Sequence, residues 1–390
     1  MDSITVRGGV PWLKSLLISL LLLSGAAICA WLAWQGEVSW LGAALIMPGL
    51  WALAGNRWSA WSVALVYYLV AGRDIPDGAV LFFGQGEDFG WLLLLCSSLA
   101  LSMPYALLWR RSPQAWRIIL VMLLVSIPPV GIVGWANPLT SAGVIFPGTG
   151  WYGLLGTLVL IMLIVRLPVA GPVVFITSLL VPQSIPVEPA GWKALDTHYL
   201  LPSRKRDFVA DAKRQLDLVE RLQSVDGHVV VLPEMIAGRW SDASMFLWGG
   251  YAEEAANRGR TVIIGAELSG ESGYRNAALE LTPVGGKVLY EQLMPVPVGM
   301  WRPWDENSAR PAWLRRQNAK VHGLDVAFLI CYEQLLIWPP LVAMSSGPEV
   351  LVGMSNDWWA RGTDIPDIQV SVMKAWAALF GTSLVYAVNR

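Results

Sequence analysis

A chain of 390 residues that is 55% hydrophobic and only 15% charged, with a mean hydropathy of +0.49, is too apolar for one water-soluble domain and long enough for two units. Charge is spread unevenly: residues 1–182 hold 8 of the 28 Lys and Arg and 6 of the 29 Asp and Glu, which leaves 20 and 23 for residues 183–390. That acidic excess gives no basic field for nucleic acid, so a nucleic-acid partner is excluded and Arg204-Lys205-Arg206 reads as a solvated helix start.

In chain order, seven apolar segments come first, at 12–34, 38–55, 57–72, 90–109, 116–136, 151–166 and 168–183. They predict a transmembrane domain over 1–183 with about seven α-helices, several tilted or re-entrant because they fall short of the ~20 residues that span a bilayer. Trp12, Trp34, Trp91, Trp109, Trp116, Trp135 and Trp151 fall near segment ends, where amphipathic indoles favour the membrane–water interface. The first segment continues past the small residues Ala27–Ala30 to Trp34, so it reads as an uncleaved anchor. Arg7, Lys14, Arg57, Arg110, Arg111, Arg117 and Arg166 fall on one side of the segments. Glu37, Asp74, Asp77, Glu87 and Asp88 fall on the other, with Arg73 the exception. The positive side is cytoplasmic, so seven crossings place residue 184 onward outside, in the periplasm of a Gram-negative cell.

After the Pro-rich linker Pro182–Pro189, short β-branched strands alternate with amphipathic helices, the pattern of a layered α/β domain over 184–390. A helix is expected over 203–225, with Phe208, Ala212, Leu216, Val219 and Leu222 on one face. Strands are expected at 228–233, 261–266, 277–283, 324–330, 349–354 and 383–388, and helices at 243–257, 334–344 and 366–380.

Chemistry collects at three strand ends. Cys29 and Cys96 lie in apolar segments, so Cys331 is the one thiol of the polar half; it ends the run Gly323–Ile330 and stands two residues before Glu333. A Cys at a strand end is more often a buried structural residue than a nucleophile. Two further strand ends carry polar groups: Leu232-Pro233-Glu234, and Ser355-Asn356-Asp357-Trp358-Trp359 after Glu349–Met354. A Glu after a strand is usually just solvated, but the three together form a candidate site. A carboxylate beside a thiol can take its proton and return it to a leaving group, while the backbone N–H after Cys331 donates to an oxyanion. No spacing calls for a metal or another cofactor.

Leu-Pro-Glu234, Tyr274-Arg-Asn276-Ala-Ala, Ile330-Cys331-Tyr332-Glu333 and Ser355-Asn-Asp-Trp resemble the nitrilase (carbon-nitrogen hydrolase) superfamily. The multi-span first half is similar to the branch of apolipoprotein N-acyltransferase, and Leu293–Trp304 resembles its conjugal-transfer members. The resemblance implies an αββα sandwich and a Glu-Lys-Cys triad, with Glu234 as base, Cys331 as nucleophile and Glu333 as an additional acid that orients the site. The triad lysine is replaced: the matching position is Tyr290, with Gln292 two residues along on the same strand face and Lys287 on the other. Tyr290 and Tyr332 are therefore the candidates for the substituted-lysine or oxyanion position, with Arg302 as a relocated cation. Met300 replaces a further carboxylate, and the chain stops at Arg390 where the family continues, which bears on how the domain edge closes. The expected function is a periplasmic, Cys-dependent acyl transfer or amide hydrolysis within an inner-membrane conjugal-transfer protein. Its partners would be membrane lipid and either other transfer proteins or a peptide or lipoprotein substrate. The alternatives are a catalytically degenerate scaffold docking through Trp301, Trp304, Trp358 and Trp359, and a true apolipoprotein N-acyltransferase.

Overall fold

The computed structural model describes residues 11–390 apart from 85, 113, 181 and 201–207; Arg7, the Arg204-Lys205-Arg206 run and the Trp12 side chain lie outside the described residues. The first half is helical: α1 (Pro11–Ala33), α2 (Ile46–Leu53), α3 (Arg57–Ala71), α4 (Ile75–Phe83), α5 (Glu87–Leu108), α6 (Trp116–Ser126), α7 (Ala142–Ile145), α8 (Trp151–Arg166) and α9 (Ala170–Leu180). Each of the seven apolar segments forms helix, yet among the described residues only Leu13–Ala33 and Glu87–Leu108 are long and apolar enough to cross a membrane. At 1.5 Å per residue the 11-residue α6 and α9 extend about 16 Å, roughly half the hydrocarbon thickness. The sequence reading missed α4. Its Asp74-Ile75-Pro76 start is a helix-entry signal, with Pro in the first turn where its missing N–H costs nothing.

The tryptophans divide. Trp91, Trp116 and Trp151 are exposed on the apolar helices, whereas Trp34, Trp109 and Trp135 are buried among them, and Trp34 Nε1 donates to the Tyr67 hydroxyl at 2.9 Å. Three of the expected interfacial indoles are therefore packing residues, because they lie against neighbouring helices, as Trp34 does against Tyr67 and Trp135 against Tyr68 of α3.

The second half is β1 (Trp192–Ala194), α10 (Phe208–Gln223), β2 (Val229–Val231), β3 (Arg239–Trp240), α11 (Met245–Asn257), β4 (Thr261–Ser269), β5 (Tyr274–Thr282), β6 (Gly285–Glu291), β7 (Ala319–Val321), β8 (Leu324–Ile330), α12 (Trp338–Met344), β9 (Val350–Asn356), α13 (Ile365–Phe380) and β10 (Ser383–Asn389). Every expected strand is present, and β1, β3, β6 and β7 are additional. One sheet runs β1-β2-β4-β5-β6, with β3 on β4; the other runs β10-β9-β8-β7. Val229, Val231, Ile263 and Tyr290 of the first meet Phe328, Ile330, Val352 and Val385 of the second in one dry interior. The outer face of the first sheet packs on α10 and α11, and that of the second on α12 and α13, giving the αββα order.

Helix α10 buries part of the expected stripe, with Leu222 in the core and Val219 against it, but turns Leu216 outward; the Phe208 side chain lies outside the described residues. Leu218, Leu222 and Gln215 are buried while Leu216 is 53% exposed, because Gln215 Oε1 accepts a 2.7 Å bond from Trp248 Nε1 and holds that side down. On the opposite side, α13 joins the core of the first half. A Cβ on Gly143 would stand 1.8 Å from the Ala375 carbonyl, so only glycine lets α7 lie on α13. The strand that ends the chain, β10, forms the edge of its sheet and ties across to the other. Asn389 Nδ2 donates to the Tyr199 carbonyl and to Asn356 Oδ1, and Thr197 Oγ1 donates to Asn389 Oδ1.

Candidate active site

The site lies where β2, β8 and β9 end. Glu234 leaves β2 through Leu232-Pro233, and its backbone lies directly on β4: a Cβ on Gly265 would meet the Pro233 carbonyl at 2.3 Å and the Glu234 Cα at 2.6 Å. Cys331 follows β8 at φ +51, a left-handed backbone that a residue with a Cβ adopts only under restraint. That restraint turns the thiol out of the strand line and starts the short 3-10 turn Cys331–Leu335.

Glu234 and Cys331 face each other. The carboxyl and the thiol lie close enough to shift each other's protonation, with the Asn356 backbone beside both. Glu234 is 3% exposed and Cys331 4%. Burial pushes Glu234 up to about 7, against the pull of nearby Cys331 and of its Asn276 hydrogen bond, and holds the thiol well above its usual range, with the Glu234 and Asp357 charges adding to the effect. At rest the proton therefore belongs to sulfur, and a carboxylate beside a thiol in this arrangement can accept that proton.

Three amide and carboxyl side chains tie the two sheets at this point. Asn276 Nδ2 donates to Glu234 Oε1 at 2.5 Å and to Gln292 Oε1 at 3.1 Å, while Gln292 Nε2 donates to the Ile330 carbonyl at 2.8 Å, one residue before Cys331. Glu333 is fully buried and only accepts: from Tyr290 Oη at 2.7 Å, Ile330 N at 2.6 Å, Leu293 N at 2.9 Å and Met294 N at 3.4 Å. Burial pushes its pKa up to about 8 while those donors oppose the shift. Deleting that carboxylate would strand three buried backbone N–H groups at about 1–3 kcal/mol each, so its place is to hold the cysteine turn against the end of β6.

That arrangement redirects the residues proposed to replace the missing lysine. The Tyr290 hydroxyl is engaged by Glu333, and the Tyr332 hydroxyl donates to the Ile132 carbonyl at 2.9 Å, so neither phenol is turned toward the thiol–carboxyl pair. Arg302 has its fork on Asp305 and its Nη1 on the Gly299 carbonyl; Lys287 pairs with Glu280 at the exposed end of β6. Gln292 is the residue that reaches the site. A β-bulge between Ala278 and Leu279 places an extra residue, Leu289, in β6, a slip invisible to spacing alone. Asn276, quoted within a motif but given no role, is the direct partner of Glu234.

Beside Cys331 opens a cavity of ≈ 370 Å³ that reaches into the first half. Ala71, Ala79, Phe82, Phe83, Leu93 and Cys96 of α3, α4 and α5 line it with Val296, Val298, Trp135 and Trp359, and Cys331 and Tyr332 form its wall on the α/β side. Its lining is overwhelmingly apolar. Trp359 packs edge-on against Phe82 at 5.6 Å, and Trp301 against Trp313 at 5.3 Å, leaving Trp304, 72% exposed, as the one strongly exposed indole among the four proposed for docking.

Over residues 112–378 the chain matches the carbon-nitrogen hydrolase family. Conjugal transfer protein TraB of Agrobacterium fabrum is 34% identical over 405 residues, covering 97% of this chain and 93% of that protein. The chain belongs to the TraB family of conjugal transfer proteins. A Sinorhizobium fredii member, named a probable conjugal transfer protein TraB, is also 34% identical, over 95% of this chain and 97% of its own. Among solved structures, an amidase of the nitrilase superfamily from Nesterenkonia covers 54% of the chain and 79% of its own, at 13% identity and a TM-score of 0.36. A carbon-nitrogen hydrolase from Helicobacter pylori covers 50% and 72%, at 16% identity and a TM-score of 0.35. In this TraB-family chain the carbon-nitrogen hydrolase match takes in Glu234, Asn276, Gln292, Cys331 and Glu333 together.

Proposed function

We propose that this protein is a membrane-embedded component of plasmid conjugal transfer whose Cys331 accepts an acyl group from a membrane-resident donor and passes it to an amine or to water. One observation carries the reading: Cys331 lines an apolar cavity walled by helices of the first half. An amidase acting on small polar amides needs no such cavity, whereas an acyl chain fits one.

The chemistry balances on residues already in place. Glu234 takes the thiol proton, sulfur bonds to the acyl carbon, and the tetrahedral oxyanion meets backbone N–H groups at the start of the 3-10 turn. Collapse expels an alkoxide, which recovers the proton from Glu234, and leaves a thioester. Gln292 stands where a lysine would supply charge; a neutral amide orients without that charge, so turnover is slow by roughly a hundredfold to a thousandfold relative to a site with the full donor set. Retention of the Glu234–Cys331 pair speaks for chemistry over the scaffold reading, and the missing lysine speaks against a standard apolipoprotein N-acyltransferase. The test is direct: the full chain, purified from membranes and incubated with phosphatidylethanolamine vesicles, is expected to carry a hydroxylamine-labile acyl adduct on Cys331 by mass spectrometry. A protein that stays unmodified under these conditions would overturn the acyl-transfer reading.

Membrane insertion is part of the same proposal. Leu16, Leu17, Leu20 and Leu21 of α1, Trp91, Leu92 and Leu95 of α5, and Leu155, Val159 and Leu163 of α8 are all exposed, an apolar surface that water would not tolerate. The one-sided placement of Arg57, Arg110, Arg111, Arg117 and Arg166 supports a cytoplasmic amino terminus, and a periplasmic α/β domain then requires an odd number of crossings, so that α1 and α5 are joined by shorter helices that together complete the remaining passages. In a Cys96→Ser background, an impermeant maleimide applied to spheroplasts is expected to label Glu271→Cys, at an exposed turn, and to spare Arg111→Cys; the reverse pattern would invert the topology.

A further inference from the structure

Asp357 follows β9 directly and is 1% exposed, yet neither of its carboxyl oxygens has a hydrogen-bond partner among the described residues. The usual structural explanation fails: Asp357 stands at the N-cap of the turn Trp358–Ala360, and its side chain makes no capping bond. Its backbone is fixed by donation to the Asn389 carbonyl at 2.7 Å and acceptance from Ala360 N at 2.9 Å, so the side chain is held where it is. Asp357 lies within electrostatic reach of Glu234 and Cys331, and a second orphan acceptor, Oδ1 of Asn276, borders the same carboxylate. Arg390, the cation nearest in influence, makes its own ion pair with Asp367 at 3.8 Å. Among the described residues Glu234 and Asp357 have no ion-pair partner, so two buried carboxyls flank the thiol with no resident cation. A buried acceptor without a donor is costly, and its persistence beside a nucleophile marks a place where a donor arrives with the substrate.

We infer that Asp357 is the residue that selects and deprotonates an amine acceptor, binding it as an ammonium ion beside the acyl thioester on Cys331. The inference rests on the acyl-thioester reading and adds the residue that directs the acyl group to nitrogen and not to water. The ammonium gives one proton to the Asp357 carboxylate and becomes a neutral amine. Its nitrogen bonds to the thioester carbon, the C–S bond breaks, and the second proton passes through Glu234 to the Cys331 sulfur, restoring the thiol. Burial pushes Asp357 up to about 8, which makes its carboxylate a far better acceptor of an ammonium proton than an ordinary Asp.

The experiment uses the full chain in detergent micelles, with Cys331 loaded from p-nitrophenyl octanoate. Release from the loaded chain is followed by mass with two nucleophiles at neutral pH: methylamine, which is a cation, and hydroxylamine, which is not. Asp357→Asn, close to isosteric, is expected to lower the ratio of methylamine to hydroxylamine release by about tenfold to a hundredfold, the worth of a charge-assisted hydrogen bond. Because both rates come from one loaded sample, folding yield cancels, and Asp357→Ser repeats the comparison in a smaller neutral side chain. An unchanged ratio in both variants overturns the inference while leaving the thioester reading intact. Failure of the parent chain to load Cys331 overturns both.

Discussion

Cys331→Ala is expected to abolish acyl loading and to reduce conjugal transfer frequency by at least about a thousandfold at matched protein level, since a nucleophile removed from a concerted set takes nearly all of the chemical rate with it. The substitution removes one sulfur atom from a residue whose neighbours are held by other contacts. Glu333 keeps its four donors, and Gln334 Nε2 keeps its bonds to the Leu329 and Met354 carbonyls at 3.0 and 3.2 Å. The turn therefore survives, and alanine relieves none of the positive φ, so the fold stays as it was. Trp304→Ala is the contrast: an indole 72% exposed and outside the cavity, whose loss affects a docking surface and not the thiol. Transfer at parental frequency by Cys331→Ala, together with loss in Trp304→Ala, would replace the enzyme by a scaffold.

A second large effect comes from a residue with no functional group. Gly265→Ala is expected to lower Cys331 acylation by about a hundredfold, the cost of displacing a reacting group by roughly an ångström. The added methyl has nowhere to go: the Pro233 carbonyl, the Glu234 Cα and the Met235 nitrogen, all backbone, stand within 2.6 Å of it. The strand cannot yield, because Gly265 sits between two neighbours, with Ile263 paired to Val231 on one side and Gly265 itself to Ala278 on the other. The loop must move, and Glu234 moves with it. Thermal unfolding of the variant separates this displacement from collapse: a folded protein with little acylation supports the positioning account, and parental acylation refutes it.

The fate of individual residues shows how much was legible. Strand β8 was expected over 324–330 and is found there, since a continuous apolar run ending at a reactive thiol admits few other readings. Glu234 and Cys331 were recognisable because each ends such a strand, and parallel strands bring their ends to one side of a sandwich. Gln292 was legible only as the same-face neighbour of Tyr290 and Asp357 only as one member of the run Ser355–Trp359; their individual places were not, for different reasons. The bulge that inserts Leu289 alters the face on which later residues of β6 emerge, and Asp357 shows its isolation only once every neighbour is placed and none donates to it. Leu216 illustrates the same limit, an apolar residue on an amphipathic helix turned outward because Gln215 found Trp248.

By itself the sequence determined the division into an apolar helical half and a charged α/β half, the order of the main strands, and the thiol and carboxylate that meet at their ends, because hydrophobic periodicity and strand-end chemistry are local properties. Only the tertiary structure decided that α13 packs against the first half, that the thiol opens into a cavity shared with α3, α4 and α5, that Tyr290 and Tyr332 are turned away, and that Asp357 has no partner. Those are contacts between segments far apart in the chain, set by packing and hydrogen-bond satisfaction across the whole molecule, and no local pattern encodes them.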